Sequence, residues 1–186
     1  MNIKRNIYLM YGISLLQGMV FYGPIATLYR QAAGVSVFEI TLIESISLAL
    51  CIALEMPGVV VADRIGYKNT LVISSLIYVA SKVVFWKAGG FGGFLLERVM
   101  LSVVIAGMSS CDVSLLYLSC REGESHRVFG VYNLLNTVGL LTAALLFSVV
   151  VGDDYRLAGF LTVLTYAAAA VLSFGLKEVK EIERSK

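Results

Sequence analysis

The sequence predicts an all-α integral membrane protein with six transmembrane helices. Three observations carry that expectation. Of the 186 residues, 58% are hydrophobic and only 15% are charged, whereas a soluble domain is about one quarter charged. A chain of this size cannot hide so much apolar surface in one water-facing core, so lipid must cover the rest. The apolar residues also fall into six runs, each near the ~20 residues that a helix needs to cross a hydrocarbon core. Finally, the links between runs are short and collect the charged and turn-forming residues.

The first run, residues 7–29, follows Lys4 and Arg5. It is longer than the roughly 7–15 apolar residues of a signal peptide, and no small-residue cleavage site follows, so it reads as a retained helix. Arg30-Gln-Ala-Ala-Gly34 separates it from the second run, 37–61. Asp63-Arg-Ile-Gly-Tyr-Lys68 leads into the third, 70–86, and Lys87-Ala-Gly-Gly90 into the fourth, 91–118. Arg121-Glu-Gly-Glu-Ser-His-Arg127 precedes the fifth, 129–151, and Gly152-Asp-Asp-Tyr155 the sixth, 157–176. Residues 1–176 therefore form one six-helix bundle. The polar stretch 177–186 is expected to continue the last helix and then fray, as a cytoplasmic tail or the start of a central linker.

Buried helices of a soluble protein are usually shorter and keep a polar stripe. Leu134–Val151 carries only Asn136, Thr137, Thr142 and Ser148 as polar residues. Barrel strands would alternate at every second residue, and these runs do not. In lipid every backbone amide must find a partner within its own segment, so helices follow.

Orientation follows from the basic residues of the short links. With the N-terminus in the cytoplasm, the inner ends hold Lys4, Arg5, Arg64, Lys68, Arg121, Arg127, Lys177, Lys180, Arg184 and Lys186. The outer ends hold Arg30, Lys87 and Arg156. This asymmetry places both termini in the cytoplasm, in the cell membrane of a bacterium or archaeon. The net charge of +2 points to no nucleic-acid partner.

Ionisable groups inside membrane helices are costly and often mark a pathway. Glu44 and Glu55 share nearly one face of the second run, about 16 Å apart along its axis. Arg98 and Asp112 share a face of the fourth, about 21 Å apart. Gln17, Tyr22, Asn133 and Asn136 add polar groups, the two asparagines either lining a path or joining helices. Gln17, Tyr22, Glu55, Arg98, Asp112, Asn133 and Asn136 are thus candidates for a solute pathway or proton coupling. Glu44 either faces the interior or reaches the surface. Lys82, Lys87 and Glu97 lie near outer ends, where such side chains snorkel to the interface. Cys51, Cys111 and Cys120 lie in apolar stretches, and His126 is the single histidine. No metal site and no cofactor are expected, and one histidine in a loop makes an intramembrane enzyme a poor reading.

The link Glu55-Met-Pro-Gly-Val-Val-Val-Ala-Asp63-Arg64-Ile-Gly66-Tyr-Lys68-Asn-Thr-Leu71 resembles the signature between the second and third helices of the major facilitator superfamily. The family's glycine four residues before the aspartate falls at Val59, with Gly58 one position earlier, and Tyr67 stands at the family's first basic position. Leu95-Leu-Glu-Arg98 resembles the start of the family's fourth helix, where an arginine has been linked to proton transfer. Ser109-Ser-Cys-Asp112-Val-Ser-Leu-Leu-Tyr117 and Phe129-Gly130 resemble further segments. The proline-bearing fifth-helix signature of drug–proton antiporters is absent.

The resemblance implies half of a transporter fold, the N-terminal six helices built as two inverted three-helix repeats. It implies secondary active transport of a small solute by alternating access. It also implies a cytoplasmic latch at Asp63, Arg64, Gly66 and Lys68, and a second six-helix half from a longer chain, a partner chain or a second copy. The alternative is a non-transporting or regulatory membrane protein derived from a transporter. Orientation is directly testable. A cysteine placed at Lys68 is expected to react with an impermeant maleimide only from the cytoplasmic side, and one at Gly89 only from outside; the reverse pattern would overturn the assignment.

Overall fold

The structure, a computed structural model, describes residues 3–121, 123–151 and 154–179. The predicted first run is interrupted. Helix α1 spans Ile3–Gly18, a 3-10 turn follows at Gly23–Ile25, and a short α2 covers Ala26–Ala32. The physical reason lies in Gly23-Pro24, because proline has no amide hydrogen and disfavours helix at the residue before it. The break frees backbone groups, and the last helix, α7 (Tyr155–Phe174), satisfies them. Phe21 donates its amide to Thr162 Oγ1 at 3.1 Å, Thr165 donates to the Met19 carbonyl at 3.2 Å, and Tyr166 donates to that of Gln17 at 2.6 Å.

Helix α3, Val37–Ile65, begins at a capping box in which Ser36 and Glu39 exchange side-chain and backbone bonds. It runs through Pro57 and stops at Gly66, whose φ of +91° suits glycine. Helix α4, Tyr67–Lys87, starts at once, so the predicted link shrinks to a single residue. Helix α5 spans Phe91–Leu118 and α6 Ser125–Leu146, the latter extended by a π-helical turn over Phe147–Val151. Asp154 caps α7 by accepting from the amides of Arg156 and Leu157, both at 3.1 Å.

After Phe174 the described chain does not stay helical, which corrects the expectation for residues 177–179. Gly175 follows the helix, and Asn6 of α1 clamps the next segment, donating to the Lys177 carbonyl at 2.9 Å and accepting from its amide at 3.0 Å. Residues 180–186 lie outside the described residues.

Five of these helices, α3 to α7, are long and apolar enough to cross a membrane. Helix α5 packs on α3 and α4, α1 packs on α6 and α7, and α4 packs on α7. Two apolar cores result. One lies toward the α3–α4 link and includes Met10, Leu71, Met108 and Leu115. The other, at the opposite end, is aromatic, with Phe21, Tyr22, Tyr29, Phe85 and Phe94. Helices α3 and α6 are the least covered, each with 17% of its apolar window buried against 39–47% for α4, α5 and α7. Leu48, Ile52, Met56, Leu134, Leu141 and Leu145 project outward, as lipid-facing or partner-facing surfaces do.

Glycines permit the close crossings. A Cβ on Gly58 would strike the backbone of Ala106 in α5, one on Gly139 that of Leu15 in α1, and one on Gly18 that of Asn136 in α6. Gly58 therefore makes the tight helix contact even though Val59 occupies the signature position. Gly139→Ala is expected to cost about 1–3 kcal/mol, because the added methyl forces two backbones apart. Gly130→Ala, in open space, should be neutral or stabilising by up to about 1 kcal/mol. Unfolding by SDS in mixed micelles measures both.

Candidate functional site

The antiparallel course of the helices brings charges of equal depth together. Helices α3 and α5 begin at the end where α4 finishes. Glu44 lies two turns into α3, Glu97 and Arg98 lie two turns into α5, and Lys82 lies five residues before the end of α4. Arg30, on the short α2, enters from the adjoining link. These five side chains form one cluster. Arg30 Nη1 and Arg98 Nη2 both contact Glu44 Oε1 at 2.7 Å. Glu97 lies between three cations, 3.6 Å from Arg98 Nε, 3.8 Å from Lys82 Nζ and 4.0 Å from Arg30 Nη2.

Burial makes these contacts consequential. Arg30, Lys82 and Glu97 are 2–4% exposed. Their placement corrects the expectation that Lys82 and Glu97 snorkel to the interface: their heads turn inward to meet one another. Lys82 donates to Tyr22 Oη at 2.8 Å and lies 4.9, 5.1 and 5.4 Å from the ring centres of Tyr78, Tyr166 and Tyr22. Such faces attract an ammonium electrostatically. Tyr22 stacks on Phe85 at 3.9 Å, and the Arg30 guanidinium lies 5.9 Å from the rings of Phe85 and Phe94. Next to the cluster, the Ser47 and Ser102 hydroxyls meet at 2.9 Å and bind α3 to α5.

The other candidates separate. Tyr22 and Arg98 belong to the cluster. Asp112 does not: its Oδ2 accepts from Tyr132 Oη at 3.1 Å, and its buried Oδ1 has no hydrogen-bond partner among the described residues. Asn136 donates to the Ser14 carbonyl at 3.2 Å and ties α6 to α1. The Gln17 carbonyl serves Tyr166. Asn133 and Glu55 are exposed. Lys87 sits 5.9 Å from the Trp86 ring.

At the α3–α4 link, Asp63 and Arg64 are exposed in the last turn of α3, and Lys68 is in the first turn of α4. They line an open groove of about 1070 Å³ together with Tyr117, Lys177 and Glu178. Glu178 accepts from the amides of Tyr67 and Lys68, both at 3.0 Å, and so caps α4 from outside its own helix. A Cβ on Gly66 would strike this carboxylate, which gives the glycine a second reason beyond its φ.

Sequence reasoning missed Arg30, Glu44, Lys82 and Glu97 as one site. The available signal was depth: in antiparallel neighbours, opposite charges at matched distance from the same end are positioned to pair. Nothing in the sequence marked Glu178. Among the described residues no group of three His, Cys, Asp or Glu is arranged to hold a metal. Glu97→Gln would leave buried Arg30 and Lys82 and part-exposed Arg98 with only half-exposed Glu44, a loss of about 3–5 kcal/mol by the usual cost of breaking a buried pair. In Lys82→Met, the same change should cost about 1 kcal/mol less. A double-mutant cycle on the SDS unfolding midpoint checks that coupling.

No curated protein matches the chain. The sequence model of the Major Facilitator Superfamily matches residues 7–186. With its apolar helices, its Ala-Asp-Arg-x-Gly-x-Lys link and that match over nearly its whole length, the chain belongs to the major facilitator superfamily of membrane transporters.

Proposed function

We propose that the chain acts in secondary active transport of a small solute by alternating access, as a six-helix unit that rocks against a second six-helix unit. The observation that carries this reading is the cluster of five charges, three of them buried. Charges at membrane depth mark solute or ion paths more often than they serve as scaffold. In this reading α1 and α2 form the first of six crossings, broken beside the cluster, and the break presents Tyr22 to Lys82. Transporters place irregular backbone where it borders a cavity.

The packing supports two inverted three-helix repeats. Exchanging α1 with α5, α3 with α6 and α4 with α7 converts the α3–α5 contact into α6–α1 and the α4–α5 contact into α7–α1, and leaves α4–α7 unchanged. The poorly covered faces of α3 and α6 suit a second unit. Asn133 and Asn136, with Gln17, Glu55 and Asp112, are proposed to border the path, and Asp63 with Arg64, Gly66 and Lys68 to latch the cytoplasmic side. The asymmetry of the basic residues supports a cytoplasmic position for both termini.

Alternating access is read by thiol labelling. With Cys51, Cys111 and Cys120 replaced by serine and a single cysteine at Asn136, impermeant maleimide is expected to react from either side in separate fractions of the protein. Asp63→Asn, which loosens the latch, is expected to raise labelling from the cytoplasmic side and lower it from the other. A reporter with one fixed accessibility in both backgrounds would overturn this and support a non-transporting membrane protein.

A further inference from the structure

The charge balance of the cluster points to a ligand class. Three cations, Arg30, Lys82 and Arg98, contact two carboxylates, Glu44 and Glu97, within 4.0 Å. One positive charge is left over at membrane depth, where an uncompensated charge is costly. Glu97, the Tyr22 oxygen that accepts from Lys82 and the rings of Tyr78 and Tyr166 favour the Lys82 ammonium, whereas Arg30 and Arg98 share the same cluster and repel it. Arg30 and Arg98 are the two cations that reach Glu44 at the open side.

Those guanidiniums are under-used. Both contact Glu44 Oε1 at 2.7 Å and approach Glu97 Oε2 only to 3.6–4.0 Å, beyond hydrogen-bond reach. Arg30 Nε and Arg98 Nε are buried and have no hydrogen-bond partner among the described residues, although the Arg30 side chain is only 3% exposed. A guanidinium offers five N–H donors in a planar fork that fits a carboxylate through two parallel bonds. The cluster is also open on one side only. The Glu44 and Arg98 side chains are 42% and 24% exposed, against 2–5% for Glu97, Arg30 and Lys82.

We propose that Arg30 and Arg98 form a site for a small singly charged organic anion, a carboxylate or similar oxyanion, which enters beside Glu44 and neutralises the surplus charge. Single charge follows from a surplus of one, and oxyanion rather than halide follows from the fork geometry. Glu44 repels the incoming anion and competes for the same donors, so it sets the affinity. This names a solute class for the transport reading and rests on that reading for its role, while binding is measured separately.

Trp86, the single tryptophan, lies one turn beyond Lys82, and its carbonyl accepts from Tyr29 at 3.0 Å. Its fluorescence and the thermal unfolding midpoint of the full chain in detergent report binding. The probes are sodium acetate and sodium lactate, with methyl lactate as the neutral control and sodium chloride holding ionic strength constant. Saturable binding of at least one carboxylate is expected, with none for methyl lactate. Arg98→Gln should weaken it about tenfold or more, the usual worth of a hydrogen bond to a charged group. Glu44→Gln should tighten it, and a purely structural Glu44 would not produce that sign. No saturable response to either carboxylate, or a response that chloride or methyl lactate reproduces, overturns the site. If Arg98→Gln does not fold, unchanged or weaker binding in Glu44→Gln overturns it. Saturable binding without uptake of the same carboxylate into vesicles would overturn the transport reading and leave the site standing.

Discussion

Ions buried among apolar helices must face one another. Two carboxylates and three cations near one end of this bundle satisfy that demand jointly, and none of the four helical segments involved is free to turn its charge elsewhere. Glu97 is 2% exposed and lies within 4.0 Å of three cationic groups. The rotational settings of α2, α3, α4 and α5 are tied together by that requirement. The aromatic core of Tyr22, Tyr29, Phe85 and Phe94 packs around the same charges and excludes water from their inner side, which strengthens each pairing.

The broken first segment belongs to the same arrangement. A continuous helix through residues 19–25 would keep its amides to itself and would not turn Tyr22 toward Lys82. The break costs backbone hydrogen bonds, and Thr162, Thr165 and Tyr166 of α7 replace them. One of these, Tyr166, also presents its ring to the Lys82 ammonium. Satisfaction of the backbone and stabilisation of the buried lysine are thus shared by one helix face.

The opposite end is organised by a different device. There the chain turns on a single residue, Gly66, and the carboxylate of Glu178 caps the new helix. That contact holds the segment after α7 against the α3–α4 link, while Asn6 holds it against α1. The groove lined by Asp63, Arg64 and Lys68 is therefore bounded by the α3–α4 link, the end of α5 and the segment after α7. The helices cross closely at Gly18, Gly58 and Gly139, where the absence of a side chain lets backbones touch, as small residues do between helices in lipid.

The sequence by itself determined the helical membrane class, several helix limits and the family. Runs of apolar residues with capped or glycine-marked ends depend on local chemistry, so Val37 and Phe91 begin their helices where the pattern begins. The Asp63–Lys68 motif was legible for the same reason, since its residues are neighbours in the chain. Tertiary structure alone decided what Lys82 and Glu97 do. Each lies near a helix end, where snorkelling and pairing are equally open to a long side chain, and only the packing of α4 against α5 put opposite charges at the same depth. It likewise decided that Arg98 and Asp112, aligned on one helix, serve different partners, because a shared face does not fix which neighbour lies against each turn. Glu178, 110 residues beyond the Lys68 amide it caps, had no local pattern to mark it. Local order is written in neighbouring residues, whereas the site is made by charges that meet only after the helices pack.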